Sequence, residues 1–332
     1  MDQAVDFLGL DPSGDPRNRP LCLLLRNLTL TRDHNETSRT SAAPWGIDRM
    51  KRLRIDEKID LLFDSKVTLR VYADCRPHVF QTAKLQKGVI IARNGIELVE
   101  EGLGIGVPVC RYSDGTRFSL SADTFVDDSD TNPTVVKIFD MNGIASKKFR
   151  ESPIRHGSYL AGLLKLMEKG YRRVGRFRTV ATLMLDVLSL LGMRNEYSES
   201  RSKGQITVTY CRSGRELRIN ATLDALSSEG LESIVFANEQ GGRIFDKYSD
   251  STGIELHERQ IEPWQTTEAK WASLRSGMHD VGFRLHRPSG WLIVRGREVV
   301  RNRISWSGLD LYCGGTSQAL EYLVEIVGGA SD

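Results

Sequence analysis

The sequence predicts a mainly β protein of antiparallel sheet with one inserted helical pair. Three observations predict it. Apolar residues recur with period two over much of the chain, Gly-containing turn dipeptides punctuate the alternating runs, and one stretch, Ser158 to Gly192, switches to helical spacing. In an extended chain successive side chains point to opposite faces, so such alternation buries one face and leaves the other open.

With 332 residues and 40% hydrophobic content the chain can bury one large core or two modest ones. Its net charge of +3, from 46 basic and 43 acidic residues, is too balanced to draw nucleic acid or an anionic membrane by bulk charge, so neither partner is expected. Five cysteines stand singly with no Cys-x-x-Cys pair, which argues against a zinc site and against a disulfide framework; they read as small buried hydrophobes. No metal and no cofactor is expected. The N-terminus has no basic segment followed by an apolar one, and the early apolar run Leu21 to Leu25 is too short to cross a bilayer, so a cytoplasmic location follows.

Residues 1–46, with Pro12, Pro16, Pro20 and a polar run from Arg32 to Pro44, read as an N-terminal arm, partly disordered, in which Leu21 to Leu30 could pair as a strand. A single sandwich domain is expected over 47–328. Val67, Leu69, Val71 and Ala73 alternate with Thr68, Arg70 and Tyr72 as a half-buried strand. Asn94-Gly95, Asp114-Gly115 and Asn142-Gly143 each separate two strand-like runs and tolerate the positive φ of type I′ turns, so each predicts a hairpin, as do Ser213-Gly214 and Ser289-Gly290. Leu160, Leu163, Leu164 and Met167, then Phe177, Val180, Leu183, Met184, Val187 and Leu191, fit two helical stripes closed by Gly170 and Gly192. Strands resume after Glu196. Gln205 to Cys211 and Glu216 to Leu223 predict one hairpin, and Leu231 to Ala237 and Arg243 to Tyr248 another around Asn238 to Gly242. Ile254 to Arg259, Val281 to Arg287, Trp291 to Arg295, Ile304 to Leu311 and Leu320 to Val327 follow as further strands.

The most unusual strand is Glu100 to Tyr112. Gly102, Gly104, Gly106 and Pro108 fall on one parity, and Leu103, Ile105, Val107 and Val109 on the other. Glycine in a strand interior marks a bulge, a bend or the close approach of a ligand or another backbone. A dinucleotide fingerprint is excluded, because its third glycine would fall at Val107 and the segment runs into Pro108 and a turn rather than into a helix N-terminus. An unbroken strand would set Glu100, Cys110 and Tyr112 on the bare face and Glu101 on the other, whereas a bulge would exchange Glu100 and Glu101. Two accounts stay open: a trough for a flat polar ligand such as a sugar ring, or a layer packed directly on the glycines.

Other constellations can carry chemistry. Glu255, His257 and Arg259 share a strand face, an acid–base pair in which His changes charge nearest neutral pH, though an exposed sheet face looks the same. Arg284 and His286 repeat that pattern, and Arg155-His156 precedes the first helical stripe as a capping or anion-contact pair. Trp306, Gly308, Asp310 and Tyr312 share another face, setting aromatic platforms beside a carboxylate, and Trp264 sits in a polar loop after Pro263. No Gly-x-Ser-x-Gly elbow, His-Glu-x-x-His pair or calcium loop occurs.

The many antiparallel strands and the closing segments Asp310-Leu-Tyr and Leu320-Glu-Tyr-Leu-Val-Glu-Ile resemble the super-sandwiches of the galactose mutarotase-like group, from about Lys66 to Val327. In that group the concave sheet commonly binds carbohydrate, and mutarotases use a His acid with a Glu base. The resemblance implies a large antiparallel two-sheet β-sandwich, the super-sandwich, and a carbohydrate ligand, with His257 and a Glu from Glu100, Glu101 or Glu255 as the catalytic residues. Gly102, Gly104, Gly106, Arg111, Tyr112, Trp306 and Asp310 are the candidate binding residues. The function expected is that of a carbohydrate-active protein with epimerase-, lyase- or hydrolase-like chemistry; the alternative is a non-catalytic binding or assembly module. A homo-oligomer would protect the edge strands of so long a sandwich.

Overall fold

The computed structural model describes residues 47–54, 57–63, 66–73, 88–99, 104–120, 122–127, 133–149, 193–223, 225–262, 264–300, 304–313 and 319–328. The chain divides into two compact units, one of residues 1–29 and 145–197, the other of residues 30–144 and 198–332. In the first unit the described residues belong to two strands only. The N-terminal arm and the helical pair near 158–192 lie outside the described residues.

In chain order the elements are η1 (Ile47–Arg49), β1 (Lys51–Arg52), β2 (Lys58–Leu62), β3 (Val67–Tyr72), β4 (Val89–Arg93), β5 (Ile96–Glu97), β6 (Gly104–Tyr112), β7 (Gly115–Phe118), β8 (Ala122–Asp127), β9 (Thr134–Asp140), β10 (Gly143–Phe149) and β11 (Met193–Glu199). They continue with β12 (Gln205–Ser213), β13 (Glu216–Thr222), β14 (Leu231–Gln240), β15 (Lys247–Asp250), β16 (Glu255–His257), η2 (Glu258–Ile261), β17 (Gln265–Thr267), β18 (Trp271–Ser276), β19 (Val281–His286), β20 (Leu292–Val300), β21 (Ile304–Cys313) and β22 (Ala319–Gly328). Among the described residues the helical segments are the two 3₁₀ turns, η1 and η2.

The second unit holds two antiparallel sheets. The first runs β1-β8-β9-β12-β13-β22-β19-β18-β15-β16. The second runs β7-β6-β14-β21-β20-β17, with β4 also pairing β6 and carrying β3, β2 and β5, and with Gly143 and Ile144 of β10 on β7. The sheets face each other across a core that includes Tyr210, Leu217, Ile219, Phe236, Phe283 and Val324, all fully buried. Phe236 of the second sheet stacks with Trp291 at 6.1 Å between centroids and meets Tyr322 of the first at 5.5 Å.

Local chemistry explains much of the strand order. Asn94 and Gly95 take φ of 50° and 80° between β4 and β5, as a type I′ turn requires. Gly214 turns β12 into β13 with φ 60°. In the β6–β7 hairpin Tyr112 pairs with Gly115, so the turn residues are Ser113 and Asp114, one position earlier than the dipeptide suggested.

Two expected hairpins are crossovers between sheets: Asn142-Gly143 leads from β9 of the first sheet into β10, and Ser289-Gly290 leads from β19 into β20. Gly143 is needed for contact rather than for turning, since a Cβ there would meet Phe118 Cε2 at 2.7 Å. Leu231 to Ala237 and Arg243 to Tyr248 likewise do not pair; β14 lies in the second sheet, β15 in the first, and Asn238 to Gln240 belong to β14 rather than to a turn.

The half-buried strand β3 behaves as its alternation implies except at Arg70. This residue is buried because its guanidinium is held bidentately by Asp60, at 2.8 and 2.9 Å, and donates to Glu97 at 2.9 Å.

Candidate functional site

The glycine strand is broken by a bulge. Ala237 of β14 pairs with Val107 of β6 but Asn238 pairs with Ile105, so Gly106 is the extra residue. Gly104 and Gly106 adopt φ of 82° and 84°, a left-handed backbone that favours glycine. A Cβ on Gly106 would lie 2.7 Å from Tyr210 Cε1, and one on Gly104 would lie 2.9 Å from the backbone carbon of Gly88. The bare positions are therefore filled by protein: the ring of Tyr210 at one, the start of β4 at the other.

The bulge also corrects the expected face. Gly104 pairs with Glu239, whereas Cys110 pairs with Ile234, which shares the inward face of β14 with Phe236. Cys110 and Tyr112 thus face the core, on the side opposite Gly104. The Tyr112 hydroxyl donates to the Ser227 carbonyl at 2.8 Å, and burial pushes the Cys110 thiol up to about 12.

Inside the sandwich the bulge is held by a polar network. Asn238 Oδ1 accepts from the Gly106 amide at 3.0 Å and from the Tyr322 hydroxyl at 2.9 Å, and the Tyr210 hydroxyl donates to the Gly106 carbonyl at 2.8 Å. Asn238 Nδ2 donates to the carbonyls of Phe236 and Leu309, both at 3.0 Å. The amide and the carbonyl of Gly106 both find side-chain partners, which removes a desolvation cost of about 1–3 kcal/mol per group.

The opposite, outer face of the second sheet gathers the chemistry. Asp310 of β21 is 1% exposed. Its Oδ1 accepts the Asn238 amide at 3.3 Å, and its Oδ2 is buried without a hydrogen-bond partner. Burial, followed by the nearby Glu239 carboxylate, raises its pKa well above the ordinary carboxylate range, against the opposing pull of the Asn238 amide and of Arg111. Glu239 is itself 2% exposed and lies across from Gly308.

Trp264 lies over Gly296 and Gly308: Cβ atoms there would fall 2.1 Å from Trp264 Cδ2 and 3.0 Å from its Cη2. Two small residues on adjacent strands make the seat for this indole. The Nε1 atoms of Trp264 and Trp306 are buried and unpartnered. Arg111 donates to the Tyr312 hydroxyl at 3.3 Å, with its guanidinium carbon 5.3 Å from the ring centroid.

Arg111, Trp306 and Asp310 therefore belong to one sheet, and Gly104 adjoins Glu239. Glu255 and His257 are on β16, the edge strand of the first sheet, both exposed; His257, but not Glu255, lines a shallow depression with Asp246, Lys247, Glu258, Arg259 and Gln260. Arg284 and His286 share Glu325, at 2.9 and 3.5 Å, and Arg284 covers Trp271. Glu100, Glu101, Gly102, Arg155 and His156 lie outside the described residues.

Glu239 was the residue hidden from sequence reasoning, because the polar run Asn238-Glu239-Gln240 resembles a turn. The signal for it was the continuing alternation Val235, Ala237, Glu239. Among the described residues no group of three or more His, Cys, Asp or Glu is placed to hold a metal ion, and no helix is long and apolar enough to cross a membrane.

No protein-family model matches the chain, and no curated protein matches it. Among solved structures it is similar to a galactose mutarotase-like protein from Lactobacillus casei, at 10% identity and TM-score 0.38, over 82% of this chain and 99% of that one. It is also similar to the Slr1438 protein from Synechocystis, at 9% identity and TM-score 0.34, over 89% of this chain and 100% of that one. The protein HI1317 is similar at 7% identity and TM-score 0.27, over 82% of this chain and 99% of that one. These likenesses concern the fold.

Proposed function

We propose that the chain binds a carbohydrate on the outer face of its second sheet and works on it by acid–base chemistry, with Asp310 as the proton-bearing acid and Glu239 as its carboxylate partner. The observation that carries this reading is Asp310 Oδ2, a buried, unpartnered oxygen beside a second carboxylate. Two carboxyl groups in one site do not both ionise readily, so one keeps a proton to donate while the other accepts. With an aldose, Asp310 would protonate the ring oxygen as Glu239 takes the anomeric hydroxyl proton, opening the ring. Closure on either face returns both protons and exchanges the anomers. Arg111 and Tyr312 supply hydroxyl contacts, and the indoles of Trp264 and Trp306 supply N–H donors and stacking faces. Glu255 and His257 take no part in this scheme.

The test is anomer exchange measured by NMR on a panel of free aldohexoses and aldopentoses. Wild-type protein should accelerate exchange of at least one sugar, and Asp310→Asn should lower that acceleration by about 10²-fold or more. No acceleration of any sugar by the wild type overturns the acid–base reading. The closure of Gly104 and Gly106 against Gly88 and Tyr210 favours a second reading, a binding or assembly module without chemistry. That reading predicts a ligand-induced rise in Tm with no exchange.

A further inference from the structure

Arg117 of β7 lies apart from the outer-face site. It pairs with Cys110 of β6 and with Ile144 of β10, and cross-strand partners share a face, so its side chain starts from the inner face of the second sheet. The residue is 4% exposed. Its Nη2 donates to Asp114 Oδ2 at 3.0 Å, but Nε and Nη1 are buried and make no hydrogen bond. Two of its three nitrogens thus offer N–H donors with no acceptor.

Its carboxylate partner is shared. Lys203 Nζ lies 3.1 Å from the same Asp114 oxygen and 4.9 Å from the Tyr112 ring centroid. Two cations thus face one acid, and that acid's side chain is 50% exposed and sits in the β6–β7 turn. Gly115 adjoins Arg117 Nη1, where even a Cβ would stand 3.6 Å away, so no side chain of this residue covers the donor. Buried unpartnered N–H groups of a cation, a second cation on the same carboxylate and a half-exposed carboxylate that an anion could displace are the parts of an anion site.

We propose that Arg117 and Lys203 form a binding site for an oxyanion, the phosphate or carboxylate group of a small molecule. The anion accepts from the guanidinium donors that Asp114 leaves unused and pairs with the lysine ammonium.

The experiment titrates sodium phosphate and, separately, sodium acetate into the full chain at constant ionic strength made up with chloride, reading Tm, with ³¹P line broadening as a second readout for phosphate. At least one anion should give a saturable rise in the wild type. Arg117→Met and Lys203→Met should each weaken binding by about tenfold or more, the worth of one charge-assisted contact. Asp114→Asn should strengthen it, because the competing carboxylate is gone. A purely structural role for Arg117 gives no reason for these opposite directions. If Arg117→Met does not fold, Lys203→Met and Asp114→Asn still decide the matter. A response to phosphate, alone or with acetate, assigns a phosphoryl-bearing ligand, and a response to acetate alone assigns a carboxylate. No saturable response to either anion, or responses of Lys203→Met and Asp114→Asn equal to wild type, overturns the proposal.

Discussion

Replacing Gly106 with alanine separates the two demands made on that residue. Its φ of 84° strains any L side chain, and its missing Cβ leaves room for Tyr210, whose Cε1 would be 2.7 Å away. Gly95 supplies the control, with φ of 80° and nothing within 4 Å of an added Cβ. A left-handed backbone costs a non-glycine residue about 1–2 kcal/mol, so Gly95→Ala should lose about that much. Gly106→Ala pays the same strain and adds overpacking against a buried ring, about 1–3 kcal/mol, for a total of about 2–5 kcal/mol. Against a domain stability of about 5–15 kcal/mol the larger loss is measurable and survivable. Urea unfolding followed by circular dichroism gives both values. In a Tyr210→Ala background the overpacking should vanish and Gly106→Ala should cost only its backbone strain, a coupling of about 1–3 kcal/mol. Losses for Gly95→Ala and Gly106→Ala within about 0.5 kcal/mol of each other would refute the claim that Tyr210 closes on the glycine strand.

Asp310 makes a prediction about pH. Its folded pKa is raised above the unfolded carboxylate value of about 4, so its contribution to stability is fully present below that value and is lost as pH rises through the folded one. The urea midpoint of the wild type should therefore fall relative to that of Asp310→Asn as pH rises from about 4; parallel profiles would show that Asp310 is not a proton holder. Gly296→Ala puts a Cβ 2.1 Å from Trp264 Cδ2, so the indole must leave its seat. Red-shifted tryptophan emission and a loss of about 1–3 kcal/mol are expected, and unchanged emission would place the ring elsewhere.

Strand content was legible because alternation is a local property: the burial of Ile206, Val208 and Tyr210 along β12, or of Leu217, Ile219 and Ala221 along β13, follows from residues two apart. Turn chemistry was legible only in part. Asn94-Gly95 and Asn142-Gly143 have similar conformational preferences, yet one reverses the chain within a sheet and the other passes it between sheets. The distinction is not local: Gly143 packs against Phe118, whereas nothing lies within 4 Å of a Cβ at Gly95. The same non-locality hid the site. Asn238 and Gln240 look like loop residues until Tyr322, Gly106 and the Val89 carbonyl are brought to them across the fold, the last accepting from Gln240 Nε2 at 3.1 Å.

The glycine strand shows where such reasoning stops and what it still achieves. Period-two glycines require something close to the backbone, and that requirement was correct. The identity of the neighbour was set by Tyr210, on a strand of the opposite sheet. Once Gly106 is taken as the extra residue of a bulge, the trough divides: Gly104 goes to the face of Glu239, and Tyr112 goes to the core. The two carboxylates of the candidate site are placed by the β14–β21 ladder, which keeps one register from Phe236 and Leu311 to Glu239 and Gly308 and so puts Asp310 and Glu239 on one face. The Asn238 amide donates to Asp310 Oδ1, and the second Asp310 oxygen stays without a hydrogen bond beside Glu239.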